Sequence, residues 1–322
     1  MGPKRTTRSV GAVLVLLSTL GVAPATSAAE PDNRIAYARL LEGGGAEILV
    51  ANPDGSDEQL VPLEDAAEDF TVPVWSPDHE WLLISHMMRF DGGGDFLPWR
   101  PAIVRPDGSD YRLLEVPDGP HDMDCTAWST DRSRIFCAFG GDDPGIYSLR
   151  SSDGGDMQRL TDPPFPPQGE DTPADVSPDG SQLLFIRKKP GPAPDPQPFL
   201  MEQFALYVVG TDGTNERQLV PFGVTQGHEI MGAHWSPDGR TIIATNKHGR
   251  VFTVSAAGGA IRFLKLDIDG YAFEPNWSPD GSRIIFGLFT EEGPDLFTAD
   301  PDGSNVERVT GTPDFENGPD WL

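Results

Sequence analysis

A five-residue turn, Trp-Ser-Pro-Asp-Gly, returns along this chain, and a chain that returns to one turn must fold as an array of like units. It reads Trp75-Ser76-Pro77-Asp78, Trp128-Ser129-Thr130-Asp131, Val176-Ser177-Pro178-Asp179-Gly180, Trp235-Ser236-Pro237-Asp238-Gly239 and Trp277-Ser278-Pro279-Asp280-Gly281. A truncated sixth copy is Trp321-Leu322. Neighbouring copies stand 42 to 59 residues apart. A period in this range marks small sheets arranged around an axis. A unit of this size cannot bury both its faces alone, so the copies must stack on one another.

A second turn runs in phase with the first: Asp54-Gly55, Asp107-Gly108, Asp153-Gly154, Asp212-Gly213, a degenerate Gly258-Gly259, and Asp302-Gly303. Pro fixes φ at the second turn position, and Gly supplies positive φ at the last. Between the turns lie short runs such as Arg283-Ile284-Ile285-Phe286, Gln182-Leu183-Leu184-Phe185 and Leu206-Tyr207-Val208-Val209. Their β-branched and aromatic residues predict strands. No stretch after the first 29 residues carries the 3.6-residue period of a helix. Each unit then has four strands, and the fold class is all-β: a six-bladed β-propeller. Arg34-Ile35-Ala36-Tyr37 matches a second strand with no Trp turn ahead of it, and Pro319-Asp320-Trp321-Leu322 supplies the missing first strand. The C-terminal strand is therefore expected to pair into the first blade, which leaves no free sheet edge.

The repeated Trp-Ser-Pro-Asp-Gly and Asp-Gly-Ser turns resemble those of the TolB-type β-propeller family. The resemblance covers residues 34–322 and implies the propeller alone, without the α/β domain that precedes it in the family's namesake. Propellers of this type also stand beside peptidase and lyase chemistries, so the resemblance implies a fold rather than an activity.

Residues 1–29 read as a secretory signal, with residues 30–322 as the propeller. Lys4, Arg5 and Arg8 precede an apolar run from Val10 to Val22, and then the small residues Ala25 to Ala29. The expected location is secreted or in the cell envelope, with no stable membrane insertion after cleavage. Formal net charge is −26, with 24 Lys and Arg against 50 Asp and Glu. Such a surface excludes nucleic acid and favours cationic ligands or plain solubility. The chain is expected to act as a monomer.

Cys125 and Cys137 flank the turn of the third blade at equal distances from Asp131. They fall near each other on adjacent antiparallel strands. Export favours a disulfide; the alternative is two buried small hydrophobes.

Strand order puts both short turns of every blade on one face. The longer, irregular connections fall on the other, where function is expected because variable loops sit on a rigid scaffold. Two of those loops are oversized and rich in aromatics: Phe90, Phe96 and Trp99 in blade 2, and Phe199 and Phe204 in blade 4. They form the expected ligand wall. Counting six residues back from each Trp position gives Asp69, Asp122, Glu170 and Glu229 in four blades, with His121 and His228 beside two of them. These should ring the channel mouth. Crowded carboxylates and imidazoles repel or protonate unless neutralised, and a divalent cation (calcium, manganese or zinc) is one solution; plain solvation is the other. No nucleophile elbow, zinc-protease motif, phosphate loop or dinucleotide fingerprint occurs. The first reading is thus a non-enzymatic propeller that binds a protein or small ligand. A metal-assisted hydrolase or lyase at the channel mouth is the second.

Overall fold

The computed structural model describes residues 33–41, 45–63, 69–70, 72–87, 99–116, 123–140, 143–164, 169–191, 202–225 and 229–322. The expected signal segment lies outside them. The described residues form six antiparallel sheets of four-stranded pattern and contain no helix. Contacts run from each blade to the innermost strand of the next and from the sixth back to the first. The ring is closed.

Blade 3 shows the regular unit: Met123–Trp128 innermost, then Arg134–Phe139, Gly145–Arg150 and Gln158–Arg159. Blade 1 is assembled from both ends of the chain. Phe315–Trp321 pairs with Ile35–Leu40, in the register Ile35 to Trp321 and Leu40 to Phe315. The Leu322 amide then donates to the Arg34 carbonyl at 2.9 Å. Blade 2 differs from the rest, because its innermost strand is split into Asp69–Phe70 and Val74–Trp75.

The core is not inside the sheets but between them. Trp235 of blade 5 is buried against Leu206 and Val208 of blade 4, and Trp277 of blade 6 against Ile243 and Val251 of blade 5. Each motif aromatic faces the preceding blade in this way. That is what a unit unable to bury its own faces requires. Each fully buried aliphatic side chain in these layers contributes about 1.5–3 kcal/mol.

The turns explain their own sequence. In every copy the Ser hydroxyl donates to the Asp carboxylate two residues on, at 2.6–2.7 Å. The same hydroxyl accepts the amide five residues ahead, as from Gln182 to Ser177 at 2.9 Å. These donors hold the turn carboxyls of Asp131 and Asp179 down to about 2. Gly180 takes φ +73°, as expected of the last turn position. His79 and Arg132 fill the same position at φ 61° and 59°, so two copies accept left-handed backbone on a side chain.

Cys125 and Cys137 are direct cross-strand partners, and their sulfurs are bonded. Both are fully buried.

Candidate functional site on the irregular face and channel

Six of the positions singled out for the irregular face, Phe90, Phe96, His121, Asp122, Phe199 and His228, lie outside the described residues. Trp99 opens the third strand of blade 2 and is half-buried. With Pro101, Leu114 and Met123 it lines a cleft of about 50 Å3. Phe204 corrects the expected ligand wall. It is only 8% exposed and sits in the layer between blades 4 and 5. Strand alternation sends Phe204, Leu206 and Val208 to one face of their strand, and that face is the core.

The carboxylates at the mouth have separate surroundings. Asp69 belongs to the short first strand of blade 2. Glu170 is paired with Lys188, which also meets Glu202 at 3.3 Å, so lysine already supplies its counter-charge. Glu229 is exposed on the rim. Among the described residues no three His, Cys, Asp or Glu side chains gather closely enough to hold a metal ion.

On blades 6 and 1 the same rim is aromatic. Phe289 and Phe315 stack with centroids 5.3 Å apart and planes 18° from parallel. Phe273 packs on both, at 5.1 and 5.3 Å, and Tyr271 meets Phe289 edge-on at 6.2 Å. Gly287 makes this possible. A Cβ there would stand 2.0 Å from the Phe273 ring, so only glycine lets that ring lie over the strand. Phe273 is buried, but Phe289 is 43% exposed, and Leu40, the strand partner of Phe315, is 37% exposed. The Tyr271 hydroxyl donates to the Lys247 carbonyl. Burial and the nearby Glu229 carboxylate push that hydroxyl upward.

Deeper along the axis, the residue just before each Trp position forms a second group. Asp175, His234, Asn276 and Asp320 occupy four consecutive blades. Asp175 accepts the amide of Trp235 in the next blade at 2.8 Å, and Asp320 accepts that of Trp75 at 2.7 Å. Asn276 donates to Asp320 at 2.7 Å. These side chains lie on the innermost strands of their blades. Burial therefore lifts Asp175 to about 7 and Asp320 to about 6, each against its hydrogen-bond donors, and drops His234 to about 4. His234 is thus neutral at pH 7. The two carboxylates are clasps between blades, each committed to a neighbour's backbone. Sequence counting stopped at the strand starts and missed this set. The signal was the run Asp175, His234, Asn276, Asp320 at one fixed offset from the motif.

Blades 1 and 4, which face each other across the ring, share a further polar skeleton. Arg39 bridges the buried Glu316 and the half-exposed Glu58. Arg187 bridges the buried Asp171, at 2.7 Å, and Glu216, at 2.6 Å. Both arginines are less than a tenth exposed, and each lies over a tyrosine, Tyr37 or Tyr207.

Six four-stranded blades, closed by the last strand and built on Ser-Asp turns, define a propeller whose chemistry is concentrated on one face and along the axis. No protein-family model matches the chain. Over 111 residues it is 32% identical to the Tol-Pal system protein TolB of Anaeromyxobacter dehalogenans, a match spanning 34% of this chain and 25% of that relative. Among solved structures it is similar to TolB from Acinetobacter baumannii, with a TM-score of 0.66 and 16% identity over 90% of this chain and 66% of that one. It is also similar to a putative TolB from Agrobacterium tumefaciens, with a TM-score of 0.60 and 18% identity over 90% of this chain and 99% of that one. The chain is a TolB-type β-propeller. Its match spans only a quarter of the length of the curated relatives.

Proposed function

We propose that this chain is an exported, non-enzymatic propeller that docks a protein through its irregular face and channel mouth. The contrast between its two faces carries the reading. On the turn face every motif hydroxyl and carboxylate is satisfied within its own turn. On the irregular face Phe289 and Leu40 stand open to water beside stacked rings. Exposed aromatic clusters on a rigid frame are where docking energy concentrates. The signal-like first 29 residues and the acidic surface support an extracytoplasmic place of work. The TolB relatives carry the Tol-Pal system in their name, and an assembly role of that kind is part of this proposal.

The metal-assisted reading gains no support from Glu170, which is paired with lysine, or from Glu229 on the open rim. The test is photo-crosslinking in the envelope of the source cell. A crosslinking residue placed at Trp99 or Phe289 should yield protein adducts, and one at Ser181 or Ser282 on the turn face should not. Equal labelling from both faces overturns the proposal.

A further inference from the structure

The rim of the irregular face is divided, and the division describes a ligand. On one side stands the shelf of Tyr271, Phe289, Phe315 and Leu40, with Phe273 as its floor. Acids surround it. Glu229 lies near enough to Tyr271 to raise its hydroxyl, and Asp269 and Glu291 stand two positions from Tyr271 and Phe289. Glu292 is set apart, since Arg308 pairs with it at 2.9 Å. An apolar side chain alone would leave this ring of carboxylates unmatched. A bare cation would leave the ring faces unused.

We propose that the seam between blades 6 and 1 docks an extended peptide segment of a partner protein, one carrying an aromatic or aliphatic side chain flanked by arginine or lysine. The apolar side chain rests on Phe289 and Leu40. The flanking cations meet Glu229, Asp269 and Glu291 and can lie over the exposed ring face of Phe289, an arrangement in which guanidinium is favoured. This rests on the reading of the irregular face as a docking surface and fixes where on that face the partner sits and what chemistry it brings. The seam suits the task because stacked rings, once packed, present a preformed surface with little left to order on binding.

Three labelled peptides of one length test this by fluorescence polarisation with the full chain. One repeats Arg-Phe-Arg, one replaces each Arg with Glu, and one replaces each Phe with Ser. The Arg-Phe-Arg peptide should bind, and more weakly as salt rises. The Ser-for-Phe peptide and the Phe289→Ser variant should each bind about tenfold more weakly, the ratio that burying one aromatic side chain supplies. Glu229→Gln should weaken binding less, and Ser282→Ala on the turn face should leave it unchanged. A thermal melt of Phe289→Ser, read beside the titration, verifies that its frame is intact. Should that melt collapse, Leu40→Ser carries the same arm. Three results overturn the inference: no binding of the Arg-Phe-Arg peptide, equal binding of the Glu peptide, or binding that Phe289→Ser and the Ser-for-Phe peptide leave undiminished, which is attraction to net charge alone. If binding falls with Trp99→Ser and not with Phe289→Ser, the irregular face still docks peptides and the seam is overturned. The crosslinking comparison of the two faces decides the broader reading by itself.

Discussion

Blades 1 and 4 contain the same polar parts and use them for different ends. Each has a buried acid on its innermost strand, an arginine on the second and a glutamate after its Asp-Gly turn. Each has an aspartate that accepts the motif amide of the next blade. In blade 4 all of these lie on one continuous stretch, and the second hairpin is long, Gln182–Pro190 against Glu202–Gly210. In blade 1 the arginine and its buried acid are 277 residues apart, on the two ends of the chain. The same ion pair is a local staple in one blade and the fastener of the whole ring in the other. A buried ion pair adds little net stability over apolar packing, but it punishes the loss of one partner and can fix register. In blade 1 the register being fixed is that of closure.

The largest expected effect removes the fastener. Deleting Asp320 to Leu322 strips a buried leucine, the Trp321 contact with blade 6 and the clasp on Trp75. Unfolding stability should fall by roughly 5 kcal/mol or more, from one buried side chain and several hydrogen bonds. Chemical denaturation measures this, and a truncated chain as stable as the parent removes the closure role.

Next come the two arginines. Arg39→Met and Arg187→Met each strand a buried carboxylate, at about 3–5 kcal/mol. Hydrogen exchange separates them. Arg39→Met should expose the amides of Ile35 to Leu40 and Phe315 to Trp321 together, whereas Arg187→Met should loosen blade 4 only. If both variants open the closing strand alike, the contrast between the blades fails.

The clasps give a pH dependence whose sign follows from their shifts. Asp175 and Asp320 hold protons in the folded state that the unfolded chain releases near 3.8, so their contribution is complete below that value and fades as pH rises through about 6 to 7. His234 acts in the opposite sense: its contribution is lost as pH falls from 6.5 toward about 4. Above pH 6.5 only the carboxylates slope. Melting temperature should therefore drop from pH 6.5 to 7.5, and Asp175→Asn should flatten that drop more than Asp320→Asn, because Asp175 titrates higher. A parent melting temperature unchanged across this interval contradicts the shifts.

The smallest effect concerns the tyrosines. Tyr37 is fully buried and donates to Glu58, so Tyr37→Phe should cost about 1–2 kcal/mol for a hydrogen bond to a charged acceptor. Tyr207 offers Arg187 its ring face and stacks on Phe185 at 5.5 Å, so Tyr207→Phe should cost less in the same denaturation assay.

The turns, blade number and closing strand were legible because they depend on local chemistry repeated at one spacing. A Ser that must reach an Asp two residues away leaves the same mark in every copy. The polar skeleton is long-range and was not read. Its one local trace is at the fourth position after the Asp of each Asp-Gly turn. Glu58 and Glu216 stand there in blades 1 and 4, while Tyr111, Met157 and Val306 keep that place apolar in others. The irregular face misled in the opposite way. Aromatic richness pointed to Phe204, which strand alternation turns into the core. The exposed ring, Phe289, lies in a run that reads as an ordinary buried strand, Ile284–Thr290, and only its last turn outward frees it.

The hydrogen bond from Leu322 to Arg34 also sets a direction. Both residues lie at the turn-face end of blade 1, where Trp321 meets Ile35. A tether, tag or second domain joined at either point would leave from the side opposite the aromatic seam. The molecule can thus be anchored from behind while the irregular face stays clear, and joining the two points by a short linker would let the ring be cut open at any other turn without changing which way it faces.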